Sequence, residues 1–253
     1  MPSSVINPEV DMTCDSQTPT FYELASAFHT DKVLHAPHHY EHAYQVSVAP
    51  KRCSAQSILE IGLGCNMGYG PGHSIPLWLN YFPVATVSMF EYNSQCVNTF
   101  VQQNPLNFSE SDSSRINIFV GDQSSPADLL HAVKAAGPFD VIVDDGGHSM
   151  LQQIVSLSTL LPFVKPGGVY ILEDLATSFW PQLADLNIST VAFIGYMTSC
   201  LHTPSPLLPF FSDSRIVHAC ELAKLVESIL CYEEVCVFTR WIEHNFKDAH
   251  SLV

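Results

Sequence analysis

Val141-Ile142-Val143-Asp144-Asp145-Gly146-Gly147-His148 and Ile171-Leu172-Glu173-Asp174-Leu175 are apolar runs that each stop at a pair of acids. Unbroken apolar runs of this length mark strands buried on both faces of a parallel sheet. Charged groups are not tolerated inside such a sheet, so the acids belong just past the strand ends, where open α/β sheets bind ligands. Two neighbouring strands then aim four carboxylates and the His148 imidazole into one crevice. Converging carboxylates repel unless a proton or a cation lies between them. Hard oxygen ligands suit magnesium or calcium, and His148 is near enough to serve as a base beside the metal. The plainer alternative is that these acids are helix caps and turn residues. Two pairs with a histidine favour a functional site over that alternative.

Working outward, composition narrows the possibilities. A chain of 253 residues with 47% hydrophobic and 14% charged residues buries a core and is not disordered. The net charge of −15 argues against nucleic acid or an anionic membrane as partner, and suits a divalent or cationic cofactor. The eight cysteines form no CxxC pair, which argues against zinc; scattered through apolar segments, they are expected as free thiols of a reducing compartment. Residues 1–20 lack the apolar core of a secretory signal, and the apolar stretch 191–208 is broken by His202, Pro204 and Pro206. These features predict a soluble, cytoplasmic protein with a small-molecule substrate.

The expected organisation is a loose tail (1–20), a cap segment (21–50) and one α/β domain (51–245). The cap is rich in aromatic residues and histidines around a His29-Thr30-Asp31-Lys32 turn. A metal site at HxxHH (35–39) is disfavoured because Pro37 breaks the helix that would present two imidazoles together; a substrate-facing lid is favoured over it, and a plain packing helix over both. Strand Gln56–Leu63 runs into glycines at 62, 64, 68, 70 and 72, where positive φ and close backbone approach to a ligand are expected. Ser74 is a candidate cap for the helix that follows. Glu60, just before these glycines, would repel a pyrophosphate but suits an amino group or sulfonium, which points to S-adenosylmethionine rather than a dinucleotide. Strand 86–92 ends at Glu91, placed for ribose hydroxyls. Strand 115–120 ends before Asp122, which either reaches a purine amine or caps the next helix. Helices are expected over 152–161, 194–201 and 219–226, and a closing hairpin over 228–232 and 235–240.

With these residues in view, the chain resembles class I S-adenosylmethionine-dependent methyltransferases, and among them the magnesium-dependent O-methyltransferases that act on macrolide sugars. The resemblance covers positions 21–240 and rests on residues 60–74 (EIGLGCNMGYGPGHS), 144–148 (DDGGH) and 172–175 (LEDL). The turn at 29–32 also matches, except that His29 stands where that group usually has glycine. The resemblance implies an α/β fold with a doubly wound, mostly parallel, seven-stranded Rossmann-like sheet closed by an antiparallel hairpin. It implies Asp145, Glu173 and Asp174 as ligands of Mg²⁺ or another divalent cation, and His148 as general base beside the catalytic Asp145. It also implies that Glu60, Gly62, Gly64, Gly68, Glu91, Asp122 and Asp144 surround the cofactor.

Methyl transfer to a hydroxyl needs the oxygen in line with the methyl and partly deprotonated. A divalent cation lowers the hydroxyl pKa, and a neighbouring histidine takes the proton. Two further readings stand beside this one: an S-adenosylmethionine-binding enzyme that catalyses a rearrangement or cyclisation, and a non-catalytic binding module on the same fold. A homo-oligomer, if formed, is expected to use the N-terminal segment or the proline-rich insertion.

Overall fold

A computed structural model describes residues 19–33, 38–202 and 213–242. In the cap, α1 (Phe21–Ala27) starts at a capping box between Thr20 and Glu23, and α2 (Glu41–Ser47) begins after Tyr40. Then come β1 (Ser57–Ile61), α3 (Ser74–Tyr81), β2 (Thr86–Glu91), α4 (Ser94–Gln103), α5 (Glu110–Ser113), β3 (Ile116–Val120) and α6 (Pro126–Ala136). The second half holds β4 (Phe139–Asp144), α7 (Met150–Leu160), β5 (Val164–Leu172), α8 (Thr190–Leu201), α9 (Ser214–Ala223), β6 (Val226–Tyr232) and β7 (Val235–Arg240).

The seven strands form one sheet in the order β3-β2-β1-β4-β5-β7-β6. The first five are parallel, and the β6–β7 hairpin joins β5 antiparallel. The chain order reverses between β1 and β4, and open α/β sheets place their ligand crevice at that switch point. The doubly wound sheet with its closing hairpin is therefore as expected.

Strand alternation divides the core into two layers. Val141, Val143, Val169 and Ile171 face one layer, where Phe21, Tyr44 and Trp78 of the cap and α3 are packed. Ile142, Tyr170 and Leu172 face the other, against Leu129 of α6, Leu157 of α7 and Phe193 of α8. Phe21 stacks on Tyr44 with ring centroids 4.4 Å apart, so the cap helices are built into the first layer.

Several local expectations are corrected. Strand β1 ends at Ile61 rather than Leu63, because Gly62 turns away at φ +102°. Ser74 opens α3 but does not cap it; its hydroxyl donates to Glu60 instead. Ser125, not Asp122, caps α6, and Asp122 accepts from Ser124. Helix α9 lies earlier than expected and releases Val226 to β6, which starts two residues sooner. The thiols are not free: Cys65–Cys96, Cys200–Cys220 and Cys231–Cys236 are disulfides, and Cys53 is also disulfide-bonded. Cys65–Cys96 and Cys200–Cys220 join residues 31 and 20 positions apart that meet only after packing, whereas Cys231–Cys236 bridges the two strands of the closing hairpin. This removes the ground on which a reducing compartment was expected. Among the described residues no helix is long and apolar enough to cross a membrane. The HxxHH reading and the proline-rich insertion lie partly outside the described residues.

Candidate active site

A cavity of about 1280 Å³ opens at the carboxyl ends of β1, β2, β4 and β5. Glu60, Gly62, Gly64, Glu91, Asp145, His148 and Asp174 all line it. The turn after β1 lies against the turn after β4: Asp145 N–H donates to the carbonyl of Ile61, and Gly62 N–H to that of Phe90. At the end of β2, Glu91 accepts from the N–H groups of Leu63 (3.0 Å) and Asn93 (2.8 Å), so both its oxygens are held at the cavity wall.

Asp144 and Asp145 part at the end of β4 because successive side chains point to opposite sheet faces. Asp144 goes to the α6–α7 side, where Gln123 (2.6 Å), Tyr170 (2.5 Å) and Ser156 donate to it. Burial pushes its carboxyl up to about 6, while Ser156 and Tyr170 pull it down. It does not line the cavity, contrary to its expected place around the cofactor. Asp122 lines a separate cavity of about 340 Å³, and Gly68 lines neither. Asp122 is carried away by the turn in which it binds Ser124, and its neighbours Gly121 and Gln123 reach the main cavity instead.

Asp145, with its side chain 23% exposed, opens on the cap side beside Glu60 and Glu173, both nearly fully buried. Asp174 follows at φ +57°, a left-handed conformation that turns the chain sharply off β5. Its Oδ2 lies 3.4 Å from His148 Nε2. One ligand atom each from Asp145, His148 and Asp174 lie within 4.8 Å of one another, as do atoms of His38, Asp174 and Glu234. Carboxylate oxygens with an imidazole at this spacing fit a hard or borderline divalent cation. Glu173, expected as a third ligand, is absent from both clusters and from the cavity lining: its oxygens accept from Lys32 (2.6 Å) and Tyr44 (2.5 Å). Burial raises its carboxyl well above the usual range, and Lys32 opposes that shift.

No protein-family model matches the chain. It is 34% identical over 173 residues to 8-demethyl-8-alpha-L-rhamnosyl tetracenomycin-C 2'-O-methyltransferase of Streptomyces olivaceus, covering 65% of this chain and 42% of that protein. It is 32% identical over 197 residues to demethylmacrocin O-methyltransferase of Streptomyces fradiae, covering 74% and 45%. Among solved structures it is similar to the MycE methyltransferase from the mycinamycin biosynthetic pathway in complex with Mg and SAH. That likeness has a TM-score of 0.71 at 21% identity over 92% of this chain and 58% of the other. The chain shares the fold of that methyltransferase and is similar in sequence to these O-methyltransferases. It spans less than half the length of these two curated relatives.

In this methyltransferase fold the cap supplies residues that sequence reasoning did not place in the site. Tyr40 donates to Asp174 (3.1 Å) and accepts from its N–H (3.2 Å), and Tyr44 donates to Glu173. Burial raises both phenols far above their usual range, so they act as neutral donors. His38 stacks on Tyr40 and lies between Asp174 (3.4 Å) and Glu234 (3.3 Å), the latter in the β6–β7 turn. The available signal was the density of aromatic and basic residues at 32–44. His29, where the resembled group usually has glycine, adopts φ +55°.

Proposed function

We propose that the chain is an S-adenosylmethionine-dependent, divalent-metal-assisted O-methyltransferase that acts on a hydroxyl of a small, sugar-bearing molecule. One observation carries the reading: the wall built by Glu60, Gly62 and Glu91 and the cluster of Asp145, His148 and Asp174 open into the same cavity. The relatives, named as O-methyltransferases of glycosylated compounds, support the substrate class, and the SAH and Mg in the MycE structure support the cofactors.

In this reading Glu60, Gly62, Gly64 and Glu91 form the cofactor wall, and Asp145 and Asp174 present oxygens to the cation. Glu173 steadies that centre from behind. S-adenosylmethionine supplies an electrophilic methyl, and a divalent cation supplies Lewis acidity toward the acceptor hydroxyl. His148, one-third exposed to the cavity, receives the hydroxyl proton at a ring nitrogen, with Asp174 stabilising the resulting imidazolium. The buried tyrosines hold the acids still and, being neutral, add no competing base. The metal cluster and cofactor wall share one chamber, which brings nucleophile and methyl together without a large domain movement.

The test is transfer of labelled methyl from S-adenosylmethionine to a panel of glycosylated macrolides and polyketides, with Mg²⁺ and with EDTA. Metal-dependent labelling of a sugar hydroxyl is expected. Conversion of an acceptor to an unlabelled isomer, with S-adenosylmethionine required but not consumed, supports the rearrangement reading instead.

A further inference from the structure

Lys32 is an unusual occupant of the site. Its side chain is 1% exposed, and its ammonium lies 2.6 Å from Asp145, 2.6 Å from Glu173 and 3.3 Å from Glu60. Glu60 comes from β1, and the other two acids lie just beyond β4 and β5. Residues 60, 145 and 173 have the parity of Ile58, Val143 and Ile171, so all three side chains leave the sheet on the cap side. Lys32 is in neither the strands nor their turns: it lies 113 residues from Asp145 and 141 from Glu173, in the turn after α1. A long, flexible ammonium would stay in water unless the acids' attraction exceeded its loss of hydration. Three carboxylates within 3.3 Å surround the ammonium with opposite charge.

We propose that Lys32 is a positioning residue: a built-in cation that gathers Asp145 and Glu173 and sets how much negative charge remains for a divalent ion. Both partners are drawn to one point, so docking of the cap and alignment of the acids are a single event. Tyr40 and Tyr44, from the same segment, reinforce the coupling on Asp174 and Glu173. The proposal rests on the functional reading only in naming the second cation as divalent.

The experiment compares the parent chain with Lys32→Met, Lys32→Arg and the double variant Lys32→Met/Glu173→Gln. Readouts are metal-free melting, titration with Mg²⁺ alone, binding of S-adenosylhomocysteine, and turnover. Lys32→Met should melt lower without metal, recover with Mg²⁺ by more than the parent does, and bind Mg²⁺ at least about threefold tighter, because one positive charge has left the site. Its turnover at saturating metal should fall while the KM for cofactor stays within about twofold. Lys32→Arg should restore the parent's metal affinity, and the double variant should melt above Lys32→Met because one unpaired acid is gone.

An unchanged Mg²⁺ affinity in a folded Lys32→Met protein overturns the proposal, whatever its melting temperature, since packing alone would then account for Lys32. If Lys32→Met does not fold, the double variant decides: regained folding supports the charge role and continued unfolding overturns it. A parent that binds S-adenosylhomocysteine but no Mg²⁺ sinks the metal reading of function, and the melting comparison then decides the role of Lys32 alone.

Discussion

Gly62 and Asp145 are in direct backbone opposition: a Cβ at position 62 would lie 2.0 Å from the carbonyl oxygen of Asp145. The glycine that opens the proposed cofactor wall is thus required by the acid turn itself. The two halves of the site abut through backbone atoms, with no side chain between them to yield.

Gly62→Ala should therefore damage both halves at once. The clash and the φ of +102° together should cost about 2–5 kcal/mol in urea unfolding. S-adenosylhomocysteine binding should weaken at least about tenfold by calorimetry. Gly64 sits at φ +75°, and a Cβ added there would meet nothing closer than 3.4 Å. Gly64→Val should nonetheless strain the backbone and intrude on the cavity that Gly64 lines. Parent-like affinity in both variants would refute the placement of the cofactor.

The acids and the histidine should separate in a metal titration. Asp145→Asn and Asp174→Asn should raise the Mg²⁺ concentration needed for half-maximal activity. His148→Ala should lower turnover by about 10²–10⁴-fold while metal and cofactor affinities stay within a few fold. A large loss of metal affinity in His148→Ala would make the imidazole a ligand instead of the base. Full activity in excess EDTA after verified metal removal would end the metal mechanism.

Asp144 should behave as a structural residue. Asp144→Ala removes the acceptor of the buried Tyr170 hydroxyl, while Gln123 keeps Ser156 and Ser156 keeps the Gln152 and Gln153 carbonyls, and should cost about 1–3 kcal/mol in unfolding experiments. Cofactor affinity of the folded variant should be nearly that of the parent. A selective loss of cofactor binding without loss of stability would return Asp144 to the cofactor wall.

His29→Gly tests the backbone at the start of the cap turn. A histidine at φ +55° gives up about 1 kcal/mol relative to its preferred regions, and glycine does not. The loss of freedom on folding is larger for glycine, so a net gain of up to about 0.5 kcal/mol is expected. Chemical denaturation checks the sign; a loss beyond about 1 kcal/mol would mean that the imidazole itself contributes to packing.

The strands, their parallel character and the acids at their ends were legible in the apolar runs, because a strand buried on both faces must be an unbroken apolar run. The sequence also carried, unread, the division of those acids. Parity alone separates Asp144 from Asp145 and groups Asp145 with Glu60 and Glu173. Only the tertiary structure decided what meets that group. Lys32, Tyr40 and Tyr44 come from a segment more than a hundred residues away in sequence from Asp145, Glu173 and Asp174, and local pattern holds no record of which turn will dock over which strand ends. The same holds for Cys65–Cys96, for Cys200–Cys220 and for Gly62 meeting Asp145. Each depends on the distance between chain segments after packing, and periodicity along one segment does not encode that distance.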